Sequence, residues 1–256
     1  VSQREWAMIK AIIFDLDGTL VQSEKLKALP YAIATQRLRQ LSGPDPRALE
    51  AYREIVGASR EEASRHVMDT LELEDLLRPL MGQHGATDPV EVLSAMRKEI
   101  YDDLVADPQV LRDNQWPHTI DLLRMVSEAG CHTALATMSY RKEALHVLSA
   151  LDLERTLDVI LTREDVQQPK PDPEIYLLAA HKLDADPSDC LVLEDSPNGV
   201  RAGVAAGMNV IAVATPFTVA GLHSSRVLEH AWMVHDSEKL LEAVEARIAQ
   251  HDSTAH

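Results

Sequence analysis

The segment that decides the fold is Phe14–Leu20, with the sequence Phe-Asp-Leu-Asp-Gly-Thr-Leu, which directly follows the apolar run Ile9–Ile13. A short apolar run ended by a glycine turn predicts a buried strand with Asp15 and Asp17 in the loop at its carboxyl end. In open α/β sheets, ligands bind at that end of the strands. Two carboxylates are costly to bury there unless a cation or an exchangeable proton offsets them. The pattern favours a hard metal ion with phosphate chemistry, and a solvated Asp-Gly turn is the alternative.

Composition and charge set broad limits on the class of protein. The chain has 256 residues, of which 45% are hydrophobic and 26% are charged. That is enough for one sizeable core and a smaller second domain. The formal net charge of −16 argues against nucleic acids and anionic membranes as partners, because both require clustered Lys and Arg. None of these features indicates an oligomeric state.

The cysteines and the apolar stretches indicate a cytoplasmic protein. Cys131 and Cys190 have the spacing neither of a disulfide framework nor of a zinc site, which fits a reducing compartment. Residues 1–7 carry charged side chains and do not have the pattern of a secretory signal. The longest apolar stretch, residues 202–214, is shorter than the roughly 18 residues of a membrane span.

The residues after the first segment have the pattern of an inserted helical domain. From residue 22 to residue 107 the apolar side chains follow helical periodicity only, interrupted by glycine turns such as the one at Gly57. Thr87 is expected to be the N-cap of a helix whose apolar positions run from Val90 to Leu104. We predict that residues 22–107 form a helical cap domain.

Strands alternate with helices in the remainder of the chain. Four further apolar strands are predicted, at Thr133–Ala136, Leu157–Leu161, Leu191–Leu193 and Asn209–Ala214. Such alternation indicates βαβ units and a parallel sheet. The predicted fold class is therefore α/β, with a Rossmann-like, doubly wound parallel sheet formed by residues 1–21 and 108–256.

Three more polar signals fall at the ends of predicted elements. Thr137 ends one strand, Lys170 stands in a Lys-Pro loop before a helix, and Glu194-Asp195 ends another strand. Taken alone, they are explained equally well as a strand-end hydroxyl, a solvated lysine and a helix N-cap. Because the carboxyl ends of parallel strands share one edge, their combination predicts one site beside Asp15.

With these four signals the chain resembles the haloacid dehalogenase-like (HAD) superfamily, in its branch with a helical cap after the first strand. The first motif matches at Asp15–Thr19, the second at Thr137, the third at Lys170 and the fourth at Glu194–Gly199. The resemblance covers nearly the whole chain. It implies an HAD-like Rossmann core and a phosphotransferase or phosphohydrolase activity.

The resemblance implies that Asp15 and Asp17 are the reacting carboxylates. Hydrolysis of phosphate monoesters requires rate accelerations of up to ~10²¹, which calls for covalent catalysis and dense positive charge. Asp15 would be the nucleophile that forms an aspartyl-phosphate. Asp17 would protonate the leaving oxygen and then activate water. Haloacid dehalogenases and phosphonate-cleaving relatives lack an acid at the second position, so Asp17 favours phosphate esters.

The resemblance also implies a cofactor and the residues that hold it. Mg²⁺ would be bound by the carboxylates of Asp15 and Asp195 and by the backbone carbonyl of Asp17. Glu194 belongs to the same metal site but is expected beside the ion rather than directly on it. These four residues are the predicted metal set.

Phosphate-binding residues follow from the second and third motifs. Lys170 and the hydroxyl of Thr137 would hold phosphoryl oxygens, and the neighbours Met138 and Ser139 would complete the substrate-binding loop. Lys170 would also moderate the repulsion among the acidic side chains.

The predicted cap contains two further candidates for substrate binding. Val56–Glu62 resembles the cap loop of beta-phosphoglucomutase and of sugar-phosphate phosphatases, in which an Arg after Gly-x-Ser binds the distal part of the substrate. Arg60 has that position, or else it is a solvated helix residue beside a Ser59–Glu62 capping box. Lys27 stands where the mutase has a His, or else it belongs to an exposed helix face.

We therefore expect an enzyme, a Mg²⁺-dependent phosphohydrolase of small phosphorylated metabolites and of sugar phosphates in particular. A beta-phosphoglucomutase-like phosphosugar mutase is the first alternative, disfavoured by Lys27. A catalytically silent binding or regulatory protein is the second, disfavoured by the intact nucleophile motif. The specific substrate does not follow from the sequence.

Overall fold

The computed structural model describes residues 9–56 and 58–254. The expectations that concern the first eight residues and the turn at Gly57 lie outside these residues. The chain divides into two compact units. One, here called the core unit, comprises the residues up to Gln22 together with those from Leu111 onward, and the other, the helical unit, is Ser23–Val110.

The described part of the core unit contains one sheet of six parallel strands. The strands are β1 (Ala11–Phe14), β2 (His132–Ala136), β3 (Val159–Leu161), β4 (Cys190–Glu194), β5 (Asn209–Val213) and β6 (Met233–Val234). Their order across the sheet is β3-β2-β1-β4-β5-β6. This confirms the predicted α/β fold with a doubly wound parallel sheet.

Helices make up the helical unit. Their bounds are α1 Ser23–Arg39, α2 Pro46–Glu54, α3 Arg60–Thr70, α4 Glu74–Leu77, α5 Met81–His84 and α6 Pro89–Val105. The expected N-cap of α6 is wrong by one residue. The Asp88 carboxylate, not Thr87, accepts the hydrogen bond from the Val90 amide, because Pro89 starts the helix directly after Asp88.

The remaining helices begin with α7, which contains the boundary between the two units. They are α7 Pro108–Asp113, α8 Pro117–Glu128, α9 Arg141–Ala150, α10 Glu174–Lys182, α11 Pro197–Ala205, α12 Val219–Ser225 and α13 Leu240–Thr254. Helices α10 and α11 cover one face of the sheet, while α8 and α13 pack on β2, β5 and each other. No helix among the described residues is both long and apolar enough to cross a membrane.

The register of the sheet brings the carboxyl ends of its central strands to one level. Phe14 of β1 is paired with Leu135 on one side and with Leu193 on the other. The backbone amide of Asp15 continues this ladder by donating to the Leu193 carbonyl at 3.0 Å. Residues that follow β1, β2 and β4 in the sequence are therefore neighbours in space.

We predict that the burial of β1 dominates the stability of the core unit. Ile13 is fully buried between β2, β4 and α10, so Ile13→Ala should lower the free energy of unfolding by about 2–5 kcal/mol. Leu177→Ala on α10, where the side chain is 41% exposed, is the matched control and should cost less than about 1 kcal/mol. Chemical denaturation of the two variants measures both values, and equal losses would contradict the prediction.

Candidate active site

Two glycines make room for the acidic side chains at the carboxyl edge. Gly18 has a φ of +85°, and a Cβ at this position would lie 2.0 Å from Asp195 Oδ2. A Cβ at Gly199, in α11, would lie 1.6 Å from Glu194 Oε1. Both motif glycines are thus required by close approach of a carboxylate, and Gly18 also by its left-handed backbone.

Three carboxylates gather at this edge. Oxygen atoms of Asp15, Glu194 and Asp195 lie within 4.8 Å of one another, and all three residues are buried. A buried set of carboxylate oxygens has the chemistry that a hard divalent cation such as Mg²⁺ prefers. The residues present therefore fit the predicted ion.

Asp17 has a different environment from these three acids. Its carboxylate lies outside the group and accepts a hydrogen bond from the hydroxyl of Ser139. The family resemblance implies that Asp17 would bind the metal only through its backbone carbonyl, which would leave its side chain for proton transfer. Ser139 orients that side chain.

Lys170 is the cation within the acidic cluster. Its ammonium donates to Asp15 Oδ1 at 2.8 Å, to Glu194 Oε1 at 2.7 Å and to the carbonyl oxygen of Ala136 at 2.9 Å. An ammonium has three N–H groups, so these contacts use all of them. Because only 5% of the side chain is exposed, the two ion pairs are shielded from water and from salt screening.

Glu194 is saturated with hydrogen bonds. Its Oε1 accepts from Lys170 and from the Tyr176 hydroxyl at 3.1 Å. Its Oε2 accepts from the backbone amides of Asp195 and Ser196, both at 2.9 Å, and from the Ser196 hydroxyl at 3.0 Å. A carboxylate offers about four lone-pair positions, so five donors occupy its capacity. This favours a place for Glu194 beside a metal ion rather than on it.

Burial and the neighbouring charges shift the pKa of Asp15 and that of Lys170. Burial raises the pKa of Asp15 to about 7, with Glu194 and Asp17 adding to the rise and Lys170 opposing it. Burial works against the charged form of Lys170, but Asp15 and Glu194 outweigh it and hold its pKa well above the usual value. Lys170 is therefore a permanent cation, whereas Asp15 needs more positive charge nearby to be fully ionised at neutral pH.

The loop after β2 has the residues that the second motif predicted for phosphate binding. Thr137 is fully buried, and its hydroxyl accepts a hydrogen bond from the Ser139 amide at 3.0 Å. Met138 is partly buried against the hydrophobic core. The sheet register brings this loop to the same edge as Asp15, as expected.

The two predicted substrate-binding residues of the helical unit lie on α3 and α1. Arg60 is exposed and is the first residue of α3, between Ser59 and Glu62, which form a capping box. Lys27 donates to Glu24 at 3.1 Å. The capping box explains the Ser59 and Glu62 positions without a ligand, whereas the role of Arg60 stays a prediction.

Sequence reasoning missed Tyr176. The apolar pattern of residues 173–183 predicts only a helix with an apolar face. In the structure, the Tyr176 hydroxyl donates to Glu194, and the centre of the Tyr176 ring lies 4.8 Å from Lys170 Nζ. A buried tyrosine hydroxyl normally has a partner. The sequence shows only a tyrosine in the first turn of the helix after the Lys-Pro loop, and that alone does not indicate a contact with Glu194.

Comparisons with known proteins agree with this geometry. The model of the haloacid dehalogenase-like hydrolase family matches residues 9–207. A phosphorylated carbohydrates phosphatase of Thermotoga maritima is 32% identical over 203 residues, which are 79% of this chain and 84% of that relative. Hexitol phosphatase A of Escherichia coli is 30% identical over 225 residues, 87% of this chain and 91% of the relative.

A solved structure shares the fold. A Thermotoga maritima protein provisionally assigned as a beta-phosphoglucomutase has a TM-score of 0.67 and 28% identity, and the alignment covers 93% of this chain and 99% of that one. The family match extends over more than half of the chain and includes all four motifs. The protein is therefore an enzyme of the haloacid dehalogenase-like hydrolase family, as its motifs predicted.

Proposed function

We propose that the protein is a Mg²⁺-dependent phosphatase of small phosphorylated metabolites, sugar phosphates above all, that acts through an aspartyl-phosphate on Asp15. The observation that supports it is the arrangement around Asp15. Its carboxylate contacts Lys170 at 2.8 Å and lies within 4.8 Å of the carboxylate oxygens of Glu194 and Asp195. An anionic nucleophile beside a fixed cation suits attack on a phosphate monoester.

The carbohydrate part of the proposal rests on relatives. The two relatives described above are named for phosphorylated carbohydrates and for hexitol phosphates, and each aligns over more than three quarters of this chain. The net charge of −16 does not oppose a small anionic substrate, because surface charges are screened beyond ~8 Å at physiological salt.

In the proposed reaction Asp15 is the nucleophile and Asp17 is the general acid and base. A bond forms between an Asp15 carboxylate oxygen and phosphorus while the ester P–O bond breaks. Asp17, held by Ser139, gives a proton to the leaving oxygen. It later takes a proton from the water that attacks phosphorus, while the bond between phosphorus and the Asp15 oxygen breaks and inorganic phosphate leaves. Mg²⁺ held by Asp15, Asp195 and the Asp17 carbonyl would supply positive charge for the phosphoryl oxygens and keep Asp15 ionised.

Lys170 and Thr137 are the proposed phosphoryl ligands from the chain itself. The Lys170 charge persists at neutral pH because two carboxylates contact it. The Thr137 hydroxyl is held in the loop by the Ser139 amide.

Arg60 and Lys27 are proposed to contact the rest of the substrate. We further propose a cytoplasmic location, in keeping with the unpaired thiols of Cys131 and Cys190.

A phosphosugar mutase is the second candidate. The Val56–Glu62 segment, with Arg60, and the provisionally assigned Thermotoga maritima mutase structure favour it. Lys27 in place of the mutase His disfavours it. The distinction lies in the fate of the phosphoryl group, which water removes in a phosphatase and which returns to the sugar in a mutase.

The first experiment is a release assay with a panel of sugar phosphates, other metabolite esters and nucleotides. The wild type should release phosphate from a subset in Mg²⁺ and lose this activity with a chelator. Asp15→Asn should retain less than about one part in a thousand, since it lacks the nucleophile. Asp121→Asn, an exposed acid on α8, is the matched control and should be as active as the wild type.

The same assay gives the results that would contradict a phosphatase or favour one of the other two candidates. Absence of released phosphate across the panel, with no effect of the chelator, would contradict it. Glucose 1-phosphate supplied with a bisphosphate primer separates the two enzymatic candidates. Isomerised sugar phosphate would favour the mutase, and free phosphate the phosphatase. An Asp15→Asn protein that matches the wild type in every functional assay would favour a silent regulator instead.

Without metal, the stability of the protein should depend on pH through the carboxyl group of Asp15. The folded protein keeps the Asp15 proton up to about pH 7, whereas the unfolded chain releases it near 3.8. The stability that this proton contributes is complete below 3.8 and is lost as the pH rises through 7. The melting temperature of Asp15→Asn, relative to that of the wild type, should therefore increase between pH 4 and pH 7 and then level off.

Thermal unfolding in a chelating buffer at several pH values measures this difference. Both proteins share every other titrating group, so the difference reports the Asp15 proton together with its coupling to Lys170, Glu194 and Asp17. A melting-temperature difference that is constant from pH 4 to pH 8 would show that burial does not raise the pKa of Asp15.

A further inference from the structure

We propose that Tyr176 is a positioning residue of this site, whose hydroxyl holds Glu194 in place when Lys170 turns from Glu194 to a phosphoryl oxygen. The inference rests on the proposed function for the phosphoryl oxygen alone. The link from Tyr176 through Glu194 to Asp195 is independent of the substrate.

The contacts of Tyr176 single it out. The residue is fully buried, its hydroxyl donates to Glu194 Oε1 at 3.1 Å, and its ring centre lies 4.8 Å from Lys170 Nζ. One side chain thus contacts both members of a buried ion pair. The ring covers the ammonium by a cation–π contact, and the hydroxyl shares the oxygen that the ammonium also uses.

The hydrogen bonds of Lys170 explain why the hydroxyl is needed. All three N–H groups have acceptors inside the protein, on Asp15, Glu194 and the Ala136 carbonyl. Lys170 can bind a phosphoryl oxygen only by leaving one of them. A buried acceptor that loses its donor is penalised. When Lys170 leaves Glu194, Oε1 keeps the Tyr176 hydroxyl as a donor and Oε2 keeps its own three donors, so the Glu194 carboxylate stays hydrogen-bonded.

Glu194 connects Tyr176 to the acidic cluster. The other oxygen of Glu194 accepts from the backbone amides of Asp195 and Ser196. These amides fix the turn that carries the Asp195 carboxylate. Rotation of the Glu194 side chain would break the hydrogen bonds to these two amides. The Tyr176 hydroxyl, which holds the other carboxylate oxygen of Glu194, therefore acts on the position of Asp195.

The helical unit offers a chemically matched control. There the Tyr52 hydroxyl donates to Glu24 Oε2 at 2.8 Å, and Glu24 also accepts from Lys27. Tyr52 is buried as well. Tyr52→Phe therefore removes the same kind of hydrogen bond, from a phenol to a lysine-paired glutamate, outside the acidic cluster.

The test compares Tyr176→Phe with Tyr52→Phe. Two measurements are made on each variant: the Mg²⁺ dissociation constant by titration calorimetry without substrate, and kcat and KM on the best ester of the panel. Tyr176→Phe keeps the ring and deletes only the hydroxyl. It should weaken Mg²⁺ binding about tenfold and lower kcat by about 10- to 100-fold, with KM changed less than about threefold. Tyr52→Phe should bind Mg²⁺ as the wild type does.

Several results would overturn the inference. One is a folded Tyr176→Phe with wild-type Mg²⁺ affinity and kcat, and another is an equal loss of Mg²⁺ affinity in both variants. A double-mutant cycle with Glu194→Gln adds a test that does not require activity. Because Tyr176 acts through Glu194, the double variant should bind Mg²⁺ about as Glu194→Gln alone does, and additive losses would refute the link.

The calorimetry separates this inference from the proposed function. A wild type that binds Mg²⁺ but hydrolyses no ester contradicts the phosphatase, while the Mg²⁺ affinities of the variants still decide whether Tyr176 positions the site.

Discussion

The interaction on which the site depends is the pairing of the Lys170 ammonium with Asp15 and Glu194. Three buried carboxylates within 4.8 Å would repel one another strongly in a medium of low dielectric constant. One cation that contacts two of them, and that is itself almost fully buried, offsets part of this cost. The remaining negative charge is what the proposed divalent cation would offset.

The fold provides this arrangement through strand order and register. With β1 between β2 and β4, the loops that follow these three strands meet at one edge. Asp15 and Asp195 directly follow β1 and β4, Glu194 is the last residue of β4, and the Lys170 ammonium reaches the last carbonyl of β2. Gly18 and Gly199 then allow carboxylates to approach where a Cβ would collide with them. Fold and site are thus specified by the same short motifs.

Much of this was predictable from the sequence, because apolar runs followed by polar residues locate strand ends and parallel strands share an edge. Other features depend on packing that periodicity does not describe. The choice of Asp88 over Thr87 as a cap depended on where Pro89 starts its helix. The Tyr176–Glu194 bond depended on how α10 lies on the sheet, and the saturation of Glu194 depended on a turn after β4. These are three-dimensional facts that a linear pattern does not contain.

We propose that Lys170 leaves the acidic cluster with enough negative charge to bind one divalent cation through Asp15 and Asp195. The most direct measurement is a calorimetric Mg²⁺ titration of the wild type and of Asp195→Asn, without substrate. We expect one ion per wild-type chain and an affinity weaker by about tenfold or more in the variant, since a carboxylate ligand is lost. Equal affinities, or no binding to the wild type, would contradict it.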